Sequence, residues 1–223
     1  MTTDVTGILR QTDLFRLLAA QDLETVAGAS RLRILGRGQI VFTKGDPGDA
    51  LIVVISGRVK VVARSADGGE LTLTIIGPSK TFGELSIADG GPRSADAETL
   101  ERCELLFVPG AMIRDICARV PAMAQALTTS IAESQRRLTE AASDRVFLDL
   151  PRRVAKVLLS QPQSVDGVIR LNLTQEELAH QVGGTRQSVN MALRSFERRG
   201  WITVRDRVVA VIEAAALARF AGS

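Results

Sequence analysis

The spacing of apolar residues divides the chain into helical and extended regions. In residues 12–35 the apolar side chains recur at three- and four-residue intervals, which predicts helical structure. From Gly38 onward the pattern changes to short β-branched runs separated by residues that favour turns. The predicted strands cover residues 40–42, 51–55, 59–62, 71–76, 95–97 and 103–108. Many short strands at even spacing indicate a β-roll or barrel.

The helical pattern returns after Pro109, first in residues 112–119 and then, beyond Pro121, in one long segment that ends near residue 147. Positions in this long segment fall at alternating three- and four-residue steps, which is the spacing of a coiled-coil heptad. They are Ala124, Leu127, Ile131, Ser134, Leu138, Ala141, Arg145 and Leu148. Polar residues dilute this seam, so packing against the predicted roll and pairing with a second long helix both remain open.

A new helical region begins after Asp149-Leu150-Pro151. Proline disfavours helical structure in the residue before it and suits the first turn of the next helix, so we expect a hinge between domains here. The pattern then predicts a helix over residues 152–159, a loop over 161–167 and a short strand over 168–173.

The next segment has the sequence features of two short helices joined by a glycine turn. Thr174 and Glu177 form a predicted capping box at the start of the first helix, and Thr185 is the predicted cap of the second. Gly183-Gly184 allows a sharp turn between them. The second helix buries one apolar stripe, made of Val189, Ala192, Leu193 and Phe196. This arrangement is the helix-turn-helix pattern of DNA-binding proteins.

The opposite face of the second helix is polar. Gln187, Met191 and Arg194 lie opposite the apolar stripe, with Arg186 and Asn190 on its flank. Arginine can donate two hydrogen bonds to guanine, and Gln or Asn can pair with adenine, so the N-terminal half of this helix suits the major groove. The alternatives are a solvated face or a protein-binding face. Residues 200–211 then predict a hairpin, which we interpret as a wing with Arg205 and Arg207 on phosphates.

Length and charge agree with this division. A chain of 223 residues is long enough for two domains, and 45% hydrophobic residues exclude a disordered protein. Residues from 149 onward contain 11 Lys and Arg against 7 Asp and Glu, whereas residues 1–148 contain 17 against 18. The basic excess in the C-terminal third suits nucleic-acid contact, although an excess of this size also occurs on ordinary surfaces.

Several classes of function lack support in the sequence. Cys103, Cys117 and the single histidine, His180, are too few for a four-ligand metal or iron–sulfur site, so we expect buried thiols, with a redox pair as the alternative. The sequence has no G-x-S-x-G motif and no Walker loop, so no catalytic machinery is expected. The N-terminus has no basic start or apolar core, and no apolar run could span a bilayer, which predicts a cytoplasmic protein without membrane contact.

One segment interrupts the predicted strands. Residues 82–95 place a carboxylate, Glu84, and a guanidinium, Arg93, at opposite ends of a short glycine-rich stretch. Free N–H groups in a helical turn after Gly83, the forked donors of Arg93 and the hydroxyl of Ser94 all suit a phosphate. A carboxylate cannot bind a phosphate, so Glu84 pairs with the arginine or accepts from a hydroxyl. The alternative is a surface turn with an ordinary Arg–Glu pair.

Both the interrupting segment and the helix-turn-helix segment resemble the cyclic-AMP receptor protein (Crp/Fnr) family of bacterial regulators. F-G-E-L at residues 82–85 with R-S at 93–94 resembles the family's phosphate-binding cassette. The run L-T-Q-E-E-L-A that begins at Leu173, with the following residues to Asn190, resembles its helix-turn-helix. The resemblance implies an α+β protein with an N-terminal β-roll (1–120), a long dimerisation helix (121–148) and a C-terminal winged helix-turn-helix domain (149–223).

The resemblance also implies which residues bind. Glu84 would hold the ribose 2′-hydroxyl of a cyclic nucleotide, Arg93 and Ser94 the cyclic phosphate, and Thr139 the base. The implied ligand contacts are Gly83, Glu84, Leu85, Arg93, Ser94 and Thr139. The implied DNA contacts are Thr174, Thr185, Arg186, Gln187, Ser188, Asn190, Met191 and Arg205.

The resemblance further implies a transcription regulator that acts as a homodimer on a pseudo-palindromic DNA site and contacts RNA polymerase. Its allosteric ligand would be cyclic AMP, with cyclic GMP as the alternative, and no metal, haem or iron–sulfur cluster is expected.

The chain departs from the family pattern at Leu138, where the well-known enterobacterial member has a threonine, and at Gln187 and Met191, where charged residues are common. The alternatives are therefore a family member that is ligand-independent or gated by another signal, a nucleotide-sensing adaptor without DNA, and an enzyme acting on cyclic nucleotides.

Overall fold

The computed structural model describes residues 4–160, 169–171, 174–205 and 208–222. The chain divides into two compact units. One comprises Met1–Gly69 and Leu73–Arg137, and the other comprises Glu70–Thr72 and Leu138–Ser223. None of the helices in the described ranges is long and apolar enough to cross a membrane.

The first unit begins with two short helices, α1 (Val5–Arg10) and α2 (Ala20–Ala29). The prediction of helical structure over residues 12–35 is wrong at both ends, because residues 12–19 form turns between α1 and α2 and Arg31–Leu35 forms a strand, β1. Charged and apolar side chains alternate in this stretch, and every residue of it pairs with the antiparallel strand β8 (Cys103–Pro109). The apolar spacing of the preceding helix continues into β1 by chance, and strand pairing decides its conformation.

The strands between β1 and β8 build a roll of two sheets. They are β2 (Ile40–Phe42), β3 (Ala50–Ser56), β4 (Val59–Arg64), β5 (Glu70–Ile76), β6 (Thr81–Phe82) and β7 (Asp96–Thr99). One sheet has the order β1-β8-β3-β6 and the other the order β2-β7-β4-β5. The predicted strands are therefore present, and the predicted interruption at residues 82–95 lies between β6 and β7.

Strand β3 is buried on both faces and separates two apolar clusters. Leu51 and Val53 belong to a cluster that includes side chains of α1 and α2, whereas Ile52 and Val54 belong to a cluster inside the roll. Because successive side chains of a strand point to opposite faces, this continuous apolar run fills both clusters at once. Phe82, the first residue of the interrupting segment, pairs with Ile52, so the segment begins beside this buried strand.

Three helices accompany the roll: α3 (Glu84–Asp89), α4 (Gly110–Arg119) and the long α5 (Pro121–Phe147). Met123 and Leu127 of α5 are buried in the first apolar cluster, and Ile131 packs against it. The N-terminal half of α5 therefore packs against its own unit, as one of the two interpretations required. Its C-terminal end is different, because the side chains of Val146 and Phe147 are 75% and 77% exposed.

The two cysteines lie in the first unit, Cys103 on β8 and Cys117 on α4. Cys103 is buried, Cys117 is half-buried, and both thiols are free. Burial raises the pKa of each thiol, so neither has the thiolate character of a reactive cysteine.

The second unit contains the elements predicted for a winged helix-turn-helix. Its helices are α6 (Leu150–Leu159), α7 (Gln175–Val182), α8 (Arg186–Arg198) and α9 (Ala214–Ala221). Its strands are β9 (Ile169–Leu171), β10 (Ile202–Arg205) and β11 (Val208–Val211), in the order β10-β11-β9. The predicted loop at 161–167, the remainder of the predicted strand at 168–173, and Arg207 of the wing lie outside the described residues.

Helix α9 was absent from the sequence interpretation, and it closes the core of this unit. Its Phe220 packs edge-on against Phe196 of α8, with ring centroids 5.5 Å apart, and lies beside Trp201 at the same distance. Phe196 is buried and the other two rings are half-buried, and such aromatic contacts add to the stability gained from apolar burial. Helix α8 is therefore held from its inner side by aromatic packing.

Candidate ligand cassette and DNA-reading face

The cassette consists of α3 and the loop that follows it to Arg93. Gly83 caps α3 at its start and Gly90 at its end, and both have a left-handed backbone, with φ of 81° and 70°. A side chain on Gly83 would also collide with the Arg93 guanidinium. Both glycines thus allow the chain to turn at the ends of α3. Gly83 also allows the Arg93 guanidinium to approach the backbone closely.

Arg93 is fixed by its own backbone. Its N–H donates to the carbonyl of Asp46 and its carbonyl accepts from the N–H of Gly45, each over 2.9 Å. These bonds attach the cassette to the loop between β2 and β3, and this loop approaches so closely that a side chain on Gly48 would collide with Ser86. The position of Arg93 is therefore set by the roll before any ligand binds.

The Arg93 side chain is buried, with 4% of it exposed. Its guanidinium donates to the carbonyls of Ala50 (2.6 Å) and Gly83 (3.1 Å) and stacks over the ring of Phe42, 4.4 Å from the centroid. The third nitrogen of the guanidinium, Nε, is buried, and its N–H has no hydrogen-bond partner among the described residues. A buried donor without an acceptor is costly, so this group favours an additional acceptor.

The charge of Arg93 is not neutralised at close range. In the described parts of the chain, no carboxylate lies within 4.0 Å of the guanidinium. Burial lowers the pKa of Arg93, and the more distant charges of Asp49, Asp46 and Glu84 act in the opposite direction. The structure thus rejects the alternative of an ordinary surface Arg–Glu pair, because the arginine is buried and does not pair with Glu84.

The other predicted ligand residues lie in varied environments. Glu84 is half-buried and accepts a hydrogen bond from Ser134 of α5, whereas Leu85 and Ser94 are exposed. Thr139 and Leu138 are exposed on α5 and belong to the second unit. The first unit therefore brings Gly83, Glu84 and Arg93 together, and the role of Thr139 stays a prediction.

Sequence reasoning missed several residues that shape the cassette. Ala50 supplies a carbonyl, Phe42 a ring and Ser134 a hydroxyl, at sequence separations of roughly 40 to 50 residues from the groups they contact. Only Ser134 carried a signal, since it is one of the two polar residues among the seam positions of the long helix.

The predicted DNA-reading helix is α8. Its cap Thr185 accepts from the N–H of Ser188 (3.1 Å), and the two hydroxyls lie 2.9 Å apart. Arg186, Gln187, Met191 and Arg194 are exposed, and with Asn190 they line a shallow concavity. None of these five side chains forms a hydrogen bond or ion pair with a described residue. We call this set of five side chains the reading face.

The turn before α8 depends on both glycines. Gly183 has a left-handed backbone, with φ of 66°, and caps α7. Gly184 is needed for space, since a side chain there would collide with Leu150 of α6. The predicted capping box is present: Thr174 accepts from the Glu177 N–H over 3.1 Å, and the Glu177 carboxylate accepts from the Thr174 N–H over 2.7 Å.

Arg153 of α6 supports the same turn from the other side. Its Nη1 donates to the carbonyl of Leu148 (2.7 Å) and its Nε to the carbonyl of Val182 (2.9 Å), the last residue of α7. An arginine at the C-terminal end of a helix satisfies carbonyls that have no partner within the helix. The start of α6 and the end of α7 are thereby joined.

The hairpin that follows α8 is anchored to it. The N–H of Val204 on β10 donates to the side chain of Glu197 on α8 (3.1 Å). Arg205 is exposed at the end of β10. The predicted hairpin is therefore present and fixed to α8, and it exposes Arg205 at the end of β10.

Comparison with known proteins agrees with both halves of this arrangement. The cyclic nucleotide-binding domain family matches residues 32–120, and the Crp-like helix-turn-helix domain family matches residues 152–220. The chain belongs to the Crp/Fnr family of transcription regulators. The Crp/Fnr resemblance, the α+β architecture and the DNA-binding helix-turn-helix predicted from the sequence are confirmed.

Individual Crp/Fnr members align over most of the chain. A CRP-like cAMP-activated global transcriptional regulator of Mycobacterium tuberculosis is 41% identical over 82% of this chain and 84% of its own. The cyclic AMP receptor protein of Thermus thermophilus is 32% identical over 96% of this chain and 98% of its own. Among solved structures, the c-di-GMP-responsive regulator CLP of Xanthomonas campestris aligns with a TM-score of 0.72 at 25% identity, covering 86% of this chain and 99% of that one.

Proposed function

We propose that this Crp/Fnr regulator binds cyclic AMP at the cassette and that the bound nucleotide controls its affinity for DNA. The observation that carries the proposal is the state of Arg93: a buried guanidinium, fixed by the roll, with no carboxylate within 4.0 Å and no acceptor for its buried Nε–H group among the described residues. A cyclic phosphate carries the single negative charge and the acceptor oxygens that such a group requires.

The predicted residues then divide the nucleotide among them. Arg93, Ser94 and the backbone around Gly83 hold the cyclic phosphate, and Glu84 accepts from the ribose 2′-hydroxyl. Leu85 and Thr139 complete the site, with Thr139 on the base. The names of the relatives from M. tuberculosis and T. thermophilus support cyclic AMP over other nucleotides.

The reading face enters the major groove, with Arg186 on guanine and Arg205 of the wing on phosphate. Thr174, Thr185, Gln187, Ser188, Asn190 and Met191 are the further proposed DNA contacts. We infer a homodimer on a pseudo-palindromic site, in which two-fold symmetry spaces the recognition helices by about 34 Å. RNA polymerase is the proposed partner on the promoter.

The proposed organisation is a roll to residue 120, a dimerisation helix over 121–148 and a DNA-binding domain from 149. The mechanism is a shift between two populations of the dimer. Nucleotide binds more tightly to the population in which both recognition helices fit adjacent grooves, so it raises the affinity for DNA by the ratio of its two affinities.

A regulator gated by a different nucleotide is the second candidate. Leu138 favours it, because an exposed apolar residue stands where the enterobacterial member has a threonine. The similar regulator CLP is described as responsive to c-di-GMP. Leucine has no hydrogen-bonding group for the base. The same assay separates the candidates when cyclic AMP, cyclic GMP and c-di-GMP are added in parallel.

DNA binding measured with and without nucleotide tests the proposal. A binding site is first selected from random duplex DNA, and its affinity for the protein is then determined by fluorescence anisotropy at fixed salt, because affinity for DNA depends steeply on salt. We expect saturating cyclic AMP to raise the affinity by about 5- to 150-fold. Equal affinity in all nucleotide conditions contradicts the proposed control, and a response to c-di-GMP alone selects the second candidate.

A further inference from the structure

A chain of hydrogen bonds runs from the long helix into the cassette, and its residues all belong to the first unit. Arg137 Nη2 lies 2.9 Å from Ser134 Oγ, and Ser134 Oγ lies 3.4 Å from Glu84 Oε1. Glu84 is the first residue of α3, whereas Ser134 and Arg137 lie one turn apart on α5. The bond from Ser134 to Glu84 is thus a polar link between the two helices.

The direction of this chain is fixed by chemistry. A guanidinium only donates and a carboxylate only accepts, whereas a serine hydroxyl has one hydrogen to give. Arg137 therefore donates to the Ser134 oxygen, and the single Ser134 hydrogen goes to Glu84. Serine, which could otherwise rotate its hydroxyl freely, is held as a donor toward the cassette.

The second oxygen of Glu84 is then left as an acceptor. No described residue donates a hydrogen bond to Glu84 Oε2, and the carboxylate has capacity for a further donor. Glu84 and Ser134 are both half-buried, so their bond is partly shielded from water, whereas the Arg137 side chain is exposed and its contribution is screened.

We propose that Ser134 is a positioning residue that makes the cassette selective for a ribose hydroxyl. By holding Oε1 of Glu84, it turns Oε2 toward the donor that the ligand must supply, and a ligand without that hydroxyl leaves the oxygen unpaired. The inference rests on the proposed function, which places Glu84 at the ribose. It adds that selectivity for the hydroxyl depends on a residue of α5 that itself does not touch the ligand.

Calorimetric titration with cyclic AMP and 2′-deoxy-cyclic AMP tests this proposal. We expect the intact protein to prefer cyclic AMP by about tenfold or more, the effect of one hydrogen bond to a charged group. Ser134→Ala should reduce the preference to about twofold, because a mobile carboxylate orders less completely. It should weaken cyclic AMP while leaving the 2′-deoxy ligand nearly unchanged, and Ser134→Thr, which keeps the hydroxyl, should restore the preference.

Two further variants separate positioning from general damage. Ser130→Ala makes the same chemical change one turn earlier on α5 and should retain the full preference. In a Glu84→Gln background, Ser134→Ala should have no further effect on the ratio, since the group it positions is gone. If thermal unfolding shows that Ser134→Ala does not fold, Arg137→Gln is measured instead, since Arg137 is exposed. We then expect a smaller reduction in the ratio of the affinities for cyclic AMP and 2′-deoxy-cyclic AMP.

Each outcome has one meaning. An equal loss of affinity for both ligands in Ser134→Ala, or an unchanged ratio in Ser134→Ala and Arg137→Gln, overturns the positioning role while leaving cyclic nucleotide binding in place. Failure of the intact protein to bind either ligand instead contradicts the proposed function, and the inference is overturned with it.

Discussion

Arg93 of the cassette and Arg186 of the reading face are the same kind of residue in opposite settings. Arg93 is 4% exposed, bonded to two backbone carbonyls and stacked on a ring. Arg186 is exposed at the start of α8 and bonds to no described side chain. The Arg93 guanidinium is held by contacts within the protein, whereas the Arg186 guanidinium has no such contact among the described residues.

The two settings differ in when the arginine side chain loses its conformational entropy. At the cassette, the entropy of fixing the arginine is already lost in folding, so a small ligand meets a preformed site. In the proposed DNA complex, the side chains of the reading face would lose conformational freedom only on binding, and the many phosphate contacts of DNA would offset that cost. Changes in the cassette should therefore alter stability and ligand affinity together, whereas changes in the reading face should alter DNA affinity alone.

Among the changes that leave both arginines in place, Gly83→Ala should have the largest effect on the cassette. The left-handed backbone costs a non-glycine residue about 1–2 kcal/mol, and the new methyl group also collides with Arg93. We expect a lower free energy of unfolding and a loss of cyclic nucleotide affinity of about tenfold or more. Gly90→Ala is the matched control, because Gly90 has the same left-handed backbone with open space around it. Equal losses of nucleotide affinity in both variants would mean that the contact with Arg93 is unimportant.

Arg153→Ala tests whether a partly buried arginine of the second unit stabilises the fold, as we expect of Arg93 in the cassette. It leaves the carbonyls of Leu148 and Val182 without a donor, so we expect unfolding to become about 2–4 kcal/mol easier. Chemical denaturation followed by tryptophan fluorescence at Trp201 measures this directly. The adjacent Arg152 is exposed, and Arg152→Ala should change stability by less than about 0.5 kcal/mol. Equal stability of the two variants would contradict a structural role for Arg153.

Unlike Arg153→Ala, Arg186→Ala should lower the affinity for DNA without lowering the stability of the protein. We expect it to cost about 1–3 kcal/mol of binding to the selected site and to relax the preference for guanine at one position. Its free energy of unfolding should stay within about 0.5 kcal/mol of the intact protein, since the side chain is exposed. Anisotropy on matched and guanine-substituted duplexes measures the first effect. A large loss of stability in Arg186→Ala without a loss of base specificity would contradict the contrast drawn between Arg93 and Arg186.

The smallest effect concerns Met191, which is 60% exposed in the centre of a polar face. An apolar side chain in the major groove can contact the methyl group of thymine. At one position of the selected half-site, we expect replacement of thymine by deoxyuridine, which lacks the methyl group, to lower the affinity for DNA by about two- to fivefold. Met191→Ala should abolish that loss. If deoxyuridine is tolerated at every position, Met191 does not read a methyl group.

Local signals were enough to predict much of the fold. The capping box of Thr174 and Glu177, the cap Thr185 and the Gly183-Gly184 turn depend on residues close in sequence, and all are present. The strands were recognised from β-branched runs between turns. Strand β1 was mistaken for helix because its conformation depends on pairing with β8, about 70 residues later in the chain, which no local pattern reports.

The chemistry of the cassette was predictable only in outline. Glycines, Glu84 and Arg93 marked the segment, but that spacing alone was compatible with an Arg–Glu pair as well as with a phosphate cradle. The folded structure excludes the Arg–Glu pair, because Ala50 and Phe42 hold Arg93 away from Glu84 through contacts made only in the folded roll. The link from Ser134 to Glu84 has the same origin, because it requires α5 to pack beside α3.

The central claim is that the buried arginine of the roll is an anion site for a cyclic nucleotide. Calorimetric titration with cyclic AMP, cyclic GMP and c-di-GMP tests it most directly, using the intact protein, Arg93→Gln, and Arg33→Gln as a control arginine on β1. We predict that the intact protein and Arg33→Gln bind cyclic AMP and that folded Arg93→Gln loses at least about 100-fold in affinity. Undiminished binding by Arg93→Gln, or no nucleotide binding by the intact protein, would contradict the claim.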